Sequence, residues 1–259
     1  MAGNRLANKV AIITGAASGI GEAIARRFGE EGARVVVNDI SEEGGQVVKQ
    51  INEAGGDGLF VRADIRSEEN VIRLMAEVKQ HYGSVDILVN NAGVTCTTNV
   101  VTADDEAWNR VMDLNLKSAW YCCKHAIPLM LEQHGGSIVS ISSTHVTRTQ
   151  KNHFPYHASK AGMLAMTQGI CVDFGRQGIR ANTISPGFIE TPLAEAYMRS
   201  FPNREEKLQA MLKTHPVGRL GKPSDVASAA VFLASDEAGF IAGANLVIDG
   251  GRSVLQVFD

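Results

Sequence analysis

Long apolar stretches are missing from this sequence. The longest, VASAAVFLA between Val226 and Ala234, is interrupted by a serine and falls far short of the roughly 20 apolar residues that a membrane-spanning helix needs. No membrane partner is therefore expected. The amino-terminal segment MAGNRLANKVAIITG reaches a strand-like run within ten residues, without the basic region, long apolar core and small-residue cleavage site of a secretory signal. Cysteine is sparse and unpatterned: Cys96, Cys122, Cys123 and Cys171 form no C-x-x-C pair and no zinc spacing. The seven histidines are scattered, with no H-E-x-x-H cluster. These absences predict a cytoplasmic protein with no metal site, and make Cys122 and Cys123 small buried thiols of an apolar helix. A dominant charge is missing too. A net charge of −3 and no long run of Lys or Arg leave no electrostatic basis for binding nucleic acid.

What is present is alternation. Short apolar runs, VAIIT, RVVVN, GLFV, VDILV, SIVSI, IRANTI and NLVI, recur along the 259 residues. Most are nearly continuous, as parallel strands covered on both faces should be. Between them lie helical patterns such as IGEAIARRFGEEG, SEENVIRLMAEVKQHYG and DEAWNRVMDLNLKSAWYCCKHAIPLMLEQHG, several ending at a glycine. Seven such units without a low-complexity linker predict a single doubly wound α/β domain over residues 1–259, with a seven-stranded parallel sheet and helices on both faces. One segment breaks the rhythm. From Gly187 to Gly221 the pattern is one or two helices bounded by Pro and Gly, with no strand. It follows a strand's carboxyl end, where open α/β sheets bind ligands. Residues 187–221 are thus either a cover over a substrate or a surface helical hairpin.

The first strand runs into TGAASGIG, Thr14 to Gly21, and then a helix. Gly15, Gly19 and Gly21 allow a tight turn, close approach of backbone to a pyrophosphate, and close packing of helix on strand; the helix start offers free N–H groups to phosphate. The second strand ends at Asp39, eighteen residues after Gly21. A carboxylate there accepts hydrogen bonds from the ribose hydroxyls of an adenosine and repels a 2′-phosphate, so NAD is favoured over NADP. Asp64, after the third strand, is either a contact for the adenine amino group or a plain loop aspartate.

Further motifs accumulate in order: NNAG from Asn90 to Gly93, Asn115 in MDLNLKSAW, Ser143 after SIVSI, YHASK from Tyr156 to Lys160, and PGFIET from Pro186 to Thr191. In order and interval this set resembles the short-chain dehydrogenase/reductase family, over nearly the whole chain. The resemblance implies a Rossmann-type fold. It also implies cofactor contacts from Gly15, Ser18, Gly19, Ile20, Gly21, Asp39, Asp64, Ile65, Asn91, Ala92, Gly93, Tyr156, Lys160, Pro186, Gly187, Ile189 and Thr191. Asn115, Ser143, Tyr156 and Lys160 become the catalytic group. Ser143 holds the substrate oxygen, Asn115 anchors a water that links Lys160 to solvent, Lys160 also binds the nicotinamide ribose, and Thr191 the carboxamide. A homotetramer built through the long helices after strands four and five is implied as well.

The chemistry of the pair can be argued without the family. Tyr156 and Lys160 are four apart and share a helix face. A phenol titrates near 10, too high for a base at neutral pH; a nearby ammonium is expected to lower it, and a positive nicotinamide to lower it further. Tyr156 then serves as general base on an alcohol or general acid on a carbonyl.

The segment between Ser143 and Tyr156 carries His145, Arg148, Lys151 and His153 among Thr147, Thr149, Gln150 and Asn152, and Thr95 opens a second polar run after NNAG. Such groups suit a small polyhydroxylated substrate, and Arg148 has the two-pronged geometry for a carboxylate, sulfonate or phosphate. Arg148 and Lys151 as solvated loop charges are the alternative. Thr95, Ser143, His145, Arg148, Lys151, His153 and Tyr156 are the candidate substrate contacts. Within the family the chain is most similar to sugar 1-dehydrogenases and 3-oxoacyl carrier-protein reductases. The activity expected is oxidation of a sugar's anomeric hydroxyl to the lactone, with an acidic sugar, a sulfosugar such as sulfoquinovose or a uronate, as one form of the substrate. Reduction of a 3-oxoacyl thioester is the alternative. A catalytically silent NAD-binding sensor or scaffold is a third possibility, against which the complete catalytic set argues.

Overall fold

Strand β1, Val10–Thr14, shows why the apolar runs do not alternate with polar residues. Ala11 and Ile13 enter one core beneath the sheet, Val10 and Ile12 another above it, and all four are fully buried. A computed structural model of the protein describes residues 4–199 and 201–256; residues 1–3, Ser200 and 257–259 of the expected unit lie outside the described residues. The remaining strands are β2 (Arg34–Asp39), β3 (Asp57–Arg62), β4 (Ile87–Asn90), β5 (Gly136–Ile141), β6 (Ile179–Pro186) and β7 (Asn245–Ile248). All pairings are parallel, in the order β3-β2-β1-β4-β5-β6-β7. The expected single α/β domain with a seven-stranded parallel sheet is what the chain forms.

Helices cover both faces. On one, α1 (Gly19–Glu30) and α9 (Pro223–Ala234) bury Ile24, Phe28, Val226 and Val231 against the sheet, beside Val47 and Ile51 of α2 (Gly44–Glu53). On the other, α3 (Glu68–Tyr82) contributes Val71, Leu74 and Val78 to a core completed by the next two long helices. The boundaries of α3 follow from local chemistry: Ser67 Oγ accepts from the Asn70 N–H at its start, and Gly83 ends it in the left-handed conformation, φ 81°.

The expected long helix after β4 is broken. It runs as α4 (Asp105–Met112), a π-helical turn (Asp113–Lys117) and α5 (Ser118–Glu132). A π turn inserts one extra residue per turn and re-aims a side chain; here the re-aimed residue is Asn115, fully buried. Cys122 and Cys123 lie buried in α5, and burial raises both thiol pKa values, Cys123 to about 12. After β5 comes α6 (Tyr156–Phe174). The strandless segment after β6 contains α7 (Pro192–Arg199) and α8 (Arg204–Lys213). Met198, Met211 and Leu220 form its own small core. Among the described residues no helix is long and apolar enough to cross a membrane.

The strand order reverses between β1 and β4, and loops from the two strands diverge there to leave a crevice at the carboxyl edge of the sheet.

Candidate active site

A cleft of about 630 Å³ opens at the reversal point. Its first wall is the turn after β1. Gly15 and Gly19 both have φ of +63°, a left-handed conformation that disfavours side chains. Space excludes them as well. A Cβ on Gly15 would stand 2.8 Å from Ala92 Cα, and one on Gly21 would stand 2.3 Å from the Gly15 carbonyl oxygen. The start of α1 is left uncapped by the Ser18 side chain, so its N–H groups face the cleft without an internal partner. This cradle of glycines and free donors fits the pyrophosphate of a dinucleotide.

The NNAG loop braces that turn. Thr14 Oγ1 accepts from the N–H groups of Asn91 and Ala92 at 3.1 and 3.2 Å, and Asn91 Nδ2 donates to the carbonyls of Thr14 and Gly15, both at 2.9 Å. Asn91 lines the cleft, but its amide hydrogens are committed to holding the loop. At the end of β2, Asp39 accepts from Ala17 N and Ser41 N at 3.0 Å each, which holds its carboxylate beside the turn. Asp64 is engaged by the Arg66 guanidinium, at 2.6 Å from Nη2, and this hydrogen bonding holds its pKa below the usual carboxylate range. Arg66 also lines this end of the cleft, a basic residue that the sequence patterns did not single out. Ile65, Gly93, Pro186, Gly187, Ile189 and Thr191 complete the wall with Ser18 and Ile20. Thr191 methyl packs against Gly19, and Thr191 Oγ1 accepts from Ala194 N at the start of α7.

The four expected catalytic residues converge. Tyr156 is the first residue of α6 and Lys160 lies one turn on, with Nζ 5.9 Å from the Tyr156 ring centroid. Lys160 Nζ donates to the Ile141 carbonyl at 2.7 Å. Burial brings its pKa down to about 8. Asn115 is clamped on the loop after β4: Oδ1 accepts from Val94 N at 2.8 Å, and Nδ2 donates to Val94 O at 2.9 Å and Ser159 Oγ at 3.1 Å. It packs beside Gly93, as Lys160 does. In this way the π turn ties β4, α5 and α6 together under the reacting centre.

The electrostatics of Tyr156 differ from the sequence expectation. Its pKa is raised, because burial penalises the phenolate, and hydrogen bonding to Ser143 only partly opposes that. The nearby Lys160 ammonium, which donates one hydrogen bond to Ile141 O, does not reverse the sign. Tyr156 is therefore a neutral phenol at neutral pH until another positive charge arrives.

Beyond Tyr156 the cleft is lined by ring side chains. His145 stacks on His153, centroids 4.7 Å apart, and meets Tyr156 edge-on at 5.5 Å; Tyr197 of α7 lies 5.9 Å from His153. Burial, aided by His153, Arg252 and His157, pushes the His145 pKa down to about 4, so this imidazole is neutral. Thr95 and Ser143 line the same region. Two expected contacts do not. Arg148 lines an adjoining side pocket of about 240 Å³, and Lys151 lines neither space; both are exposed. The turn Thr144–Val146 carries the chain outward, and the inner edge of the segment before α6, Thr144, His145, Gln150 and His153, reaches the cleft. Tyr197 and Arg252 also line it. Neither bears a local signal, because each arrives from a segment remote in sequence. Among the described residues no group of His, Cys, Asp and Glu could hold a metal ion.

Comparison with known proteins bears on the whole chain. The sequence profile of a family described as enoyl-(acyl carrier protein) reductase matches residues 15–253. The chain is 39% identical over 254 residues to the cis-4-hydroxycyclohexanecarboxylate dehydrogenase of Sinomonas cyclohexanicum, covering 98% of this chain and 100% of that one. It is 38% identical over 248 residues to a 3-oxoacyl-(acyl-carrier-protein) reductase of Thermotoga maritima, covering 95% and 98%. Among solved structures, the ligand-free aldohexose dehydrogenase of Thermoplasma acidophilum superposes with a TM-score of 0.90 at 36% identity, covering 99% of this chain and 98% of that one.

Proposed function

This chain belongs to the short-chain dehydrogenase/reductase family, and on that premise we propose that it uses NAD to oxidise the anomeric hydroxyl of a small sugar to the lactone. The observation that carries the substrate assignment is the ring of hydrogen-bonding groups, His145, Gln150, His153 and Tyr197, around Tyr156. A polyhydroxylated ring can satisfy such groups, whereas an acyl chain would leave them desolvated and unpaired. The similar aldohexose dehydrogenase points the same way. NAD is supported by the Asp39 carboxylate beside the glycine turn, and by the pairing of Arg66, the basic residue at that end, with Asp64.

Each residue then has a task. The glycine turn and Asp39 would hold a nicotinamide dinucleotide, which would supply the hydride acceptor and a positive charge. That charge favours the phenolate and offsets the burial cost. Tyr156 Oη would take the proton of the substrate hydroxyl, and Ser143 Oγ would hold that oxygen as it becomes a carbonyl. Lys160, with a pKa near 8, is poised to pass that proton onward to solvent. Asn115 keeps the π turn closed on Val94 so that this relay keeps its geometry. Leu193, Ala194 and Tyr197 of α7 line the cleft, which supports residues 187–221 as a cover over the substrate. We extend the proposal to a homotetramer assembled through the helices after β4 and β5, on which Trp120 and Val172 are 48% and 82% exposed.

A second possibility, reduction of a 3-oxoacyl thioester, is favoured by the similarity to the Thermotoga maritima reductase. One screen separates them: NAD reduction on neutral and acidic sugars and on cis-4-hydroxycyclohexanecarboxylate, against NADPH oxidation on a 3-oxoacyl thioester. We expect sugar-dependent NAD reduction, with kcat/KM at least about tenfold higher for NAD than for NADP. Thioester reduction without sugar oxidation would replace this assignment, and parity of the two cofactors would remove Asp39 as the ribose ligand. A protein that binds NAD and turns over nothing would be a sensor.

A further inference from the structure

We propose that Arg252 is the anion-reading residue of the substrate cleft, and that the substrate is a ring alcohol bearing a carboxylate or sulfonate remote from the reacting carbon. This rests on the sugar-oxidising assignment of the same cleft, and it moves the expected anion contact from Arg148 to a residue from the other end of the chain.

Besides its histidines, the cleft is lined by four cationic side chains: Arg66, Arg110, Lys160 and Arg252. Arg66 is paired with Asp64, Lys160 donates to Ile141 O, and Arg110 donates to Thr95 O at 3.2 Å. The Arg252 guanidinium makes no ion pair and no hydrogen bond among the described residues, though the residue is partly buried. A half-buried guanidinium has lost part of its hydration, and an anionic partner is what restores it.

Its position is held from below. Gly250 and Gly251, φ +63° and +84°, turn the chain after β7. The neighbouring carboxylate, Asp249, is committed to that turn: it accepts from Gly251 N at 3.0 Å, from Ser253 N at 2.7 Å and from the Ser253 hydroxyl. Asp249 thereby shapes the loop without pairing with Arg252. Arg252 lines both spaces, and Asp249 faces only the side pocket, so the Asp249 carboxylate disfavours an anion there and favours one on the cleft side of Arg252, toward His145 and Tyr197. The positive field of Arg252 reaches both of those side chains, opposing protonation of His145 and favouring ionisation of Tyr197. A neutral His145 can donate one hydrogen bond to an anion at no cost in proton uptake. Its ring stands 5.5 Å from that of Tyr156, so a substrate ring reaching from Tyr156 past His145 would carry its charged group to Arg252.

Two readouts test this. Turnover is compared on matched pairs, D-glucuronate with D-glucose and D-galacturonate with D-galactose, for wild type, Arg252→Ala, Arg252→Lys and Arg148→Ala. Binding of the same sugars to the NAD-loaded protein is measured by calorimetry. We expect wild type to prefer the acids, Arg252→Ala to lower the acid-over-neutral ratio of kcat/KM by about tenfold to a hundredfold, Arg252→Lys to restore part of it, and Arg148→Ala to leave the ratio at the wild-type value. Sugar oxidation whose ratio is indifferent to Arg252→Ala overturns the Arg252 proposal and keeps the sugar assignment. Glucuronate binding that depends on Arg252, without oxidation of any sugar, does the reverse. A wild type with no preference for acids in either readout overturns the Arg252 proposal outright.

Discussion

The two ends of the cleft are made of different material. At the dinucleotide end the wall is mostly main chain: glycines with left-handed torsions, uncapped N–H groups of α1, and a loop stitched by Thr14 and Asn91. These elements are close in sequence or lie on adjacent parallel strands, and they leave almost no free volume, as the 2.3 Å approach at Gly21 shows. At the substrate end the wall is side chains delivered by segments far apart: Thr95 after β4, His145 to His153 before α6, Tyr197 on α7 and Arg252 after β7. Main chain fits one shape common to all dinucleotides. Side chains from separate loops can be exchanged one at a time, which allows a single scaffold to take many substrates.

Three experiments press on that contrast. The largest effect is expected from Tyr156→Phe, which removes the proton-transferring hydroxyl alone. Turnover should fall by about a hundredfold to ten-thousandfold, while dinucleotide affinity by fluorescence titration stays near wild type; retained turnover would remove Tyr156 from the mechanism. Gly21→Ala addresses the other end. Its Cβ has no room against the Gly15 carbonyl and Asn91 Nδ2, so the turn must shift, at about 1–3 kcal/mol of stability. Both the melting temperature and NAD affinity should drop, and an Ala variant with wild-type affinity would show that the close packing there is dispensable. The smallest effect concerns His145. Its pKa is lowered in the folded protein to about 4 from 6.5, so the unfolded chain takes up the proton first as pH falls. Stability contributed by the neutral imidazole is whole above pH 6.5 and is lost as pH falls toward 4. In denaturant titrations His145→Asn should flatten this part of the pH dependence; an unchanged slope would place the acid sensitivity elsewhere.

Much of the cofactor end was legible because its chemistry is local. TGAASGIG, Asp39 at a strand end and NNAG each occupy a few consecutive residues whose backbone geometry is implied by glycine and by the strand–turn–helix context. The α3 boundaries were similarly visible in Ser67 and Gly83. Two features were not. The π turn at Asn115 leaves no trace in the apolar period of its helix, since it depends on where Val94 and Ser159 place their polar groups. The direction of the Tyr156 shift differs from the sequence expectation because helical spacing reports that Lys160 is near and says nothing of how deeply Tyr156 is buried.

Sequence alone therefore determined the parallel sheet, the glycine cradle and the pairing of Tyr156 with Lys160 on one helical turn, because period, torsion and spacing are properties of neighbours. Tertiary structure decided which charges line the cleft. Arg148, two residues past the turn Thr144–Val146, stands outside the cleft, whereas Arg252, at the far end of the chain, lines it. Whether a side chain faces solvent or a cavity depends on how β6, β7 and their loops close over α6. That closure is set by packing summed over the whole domain, which no single stretch of sequence encodes.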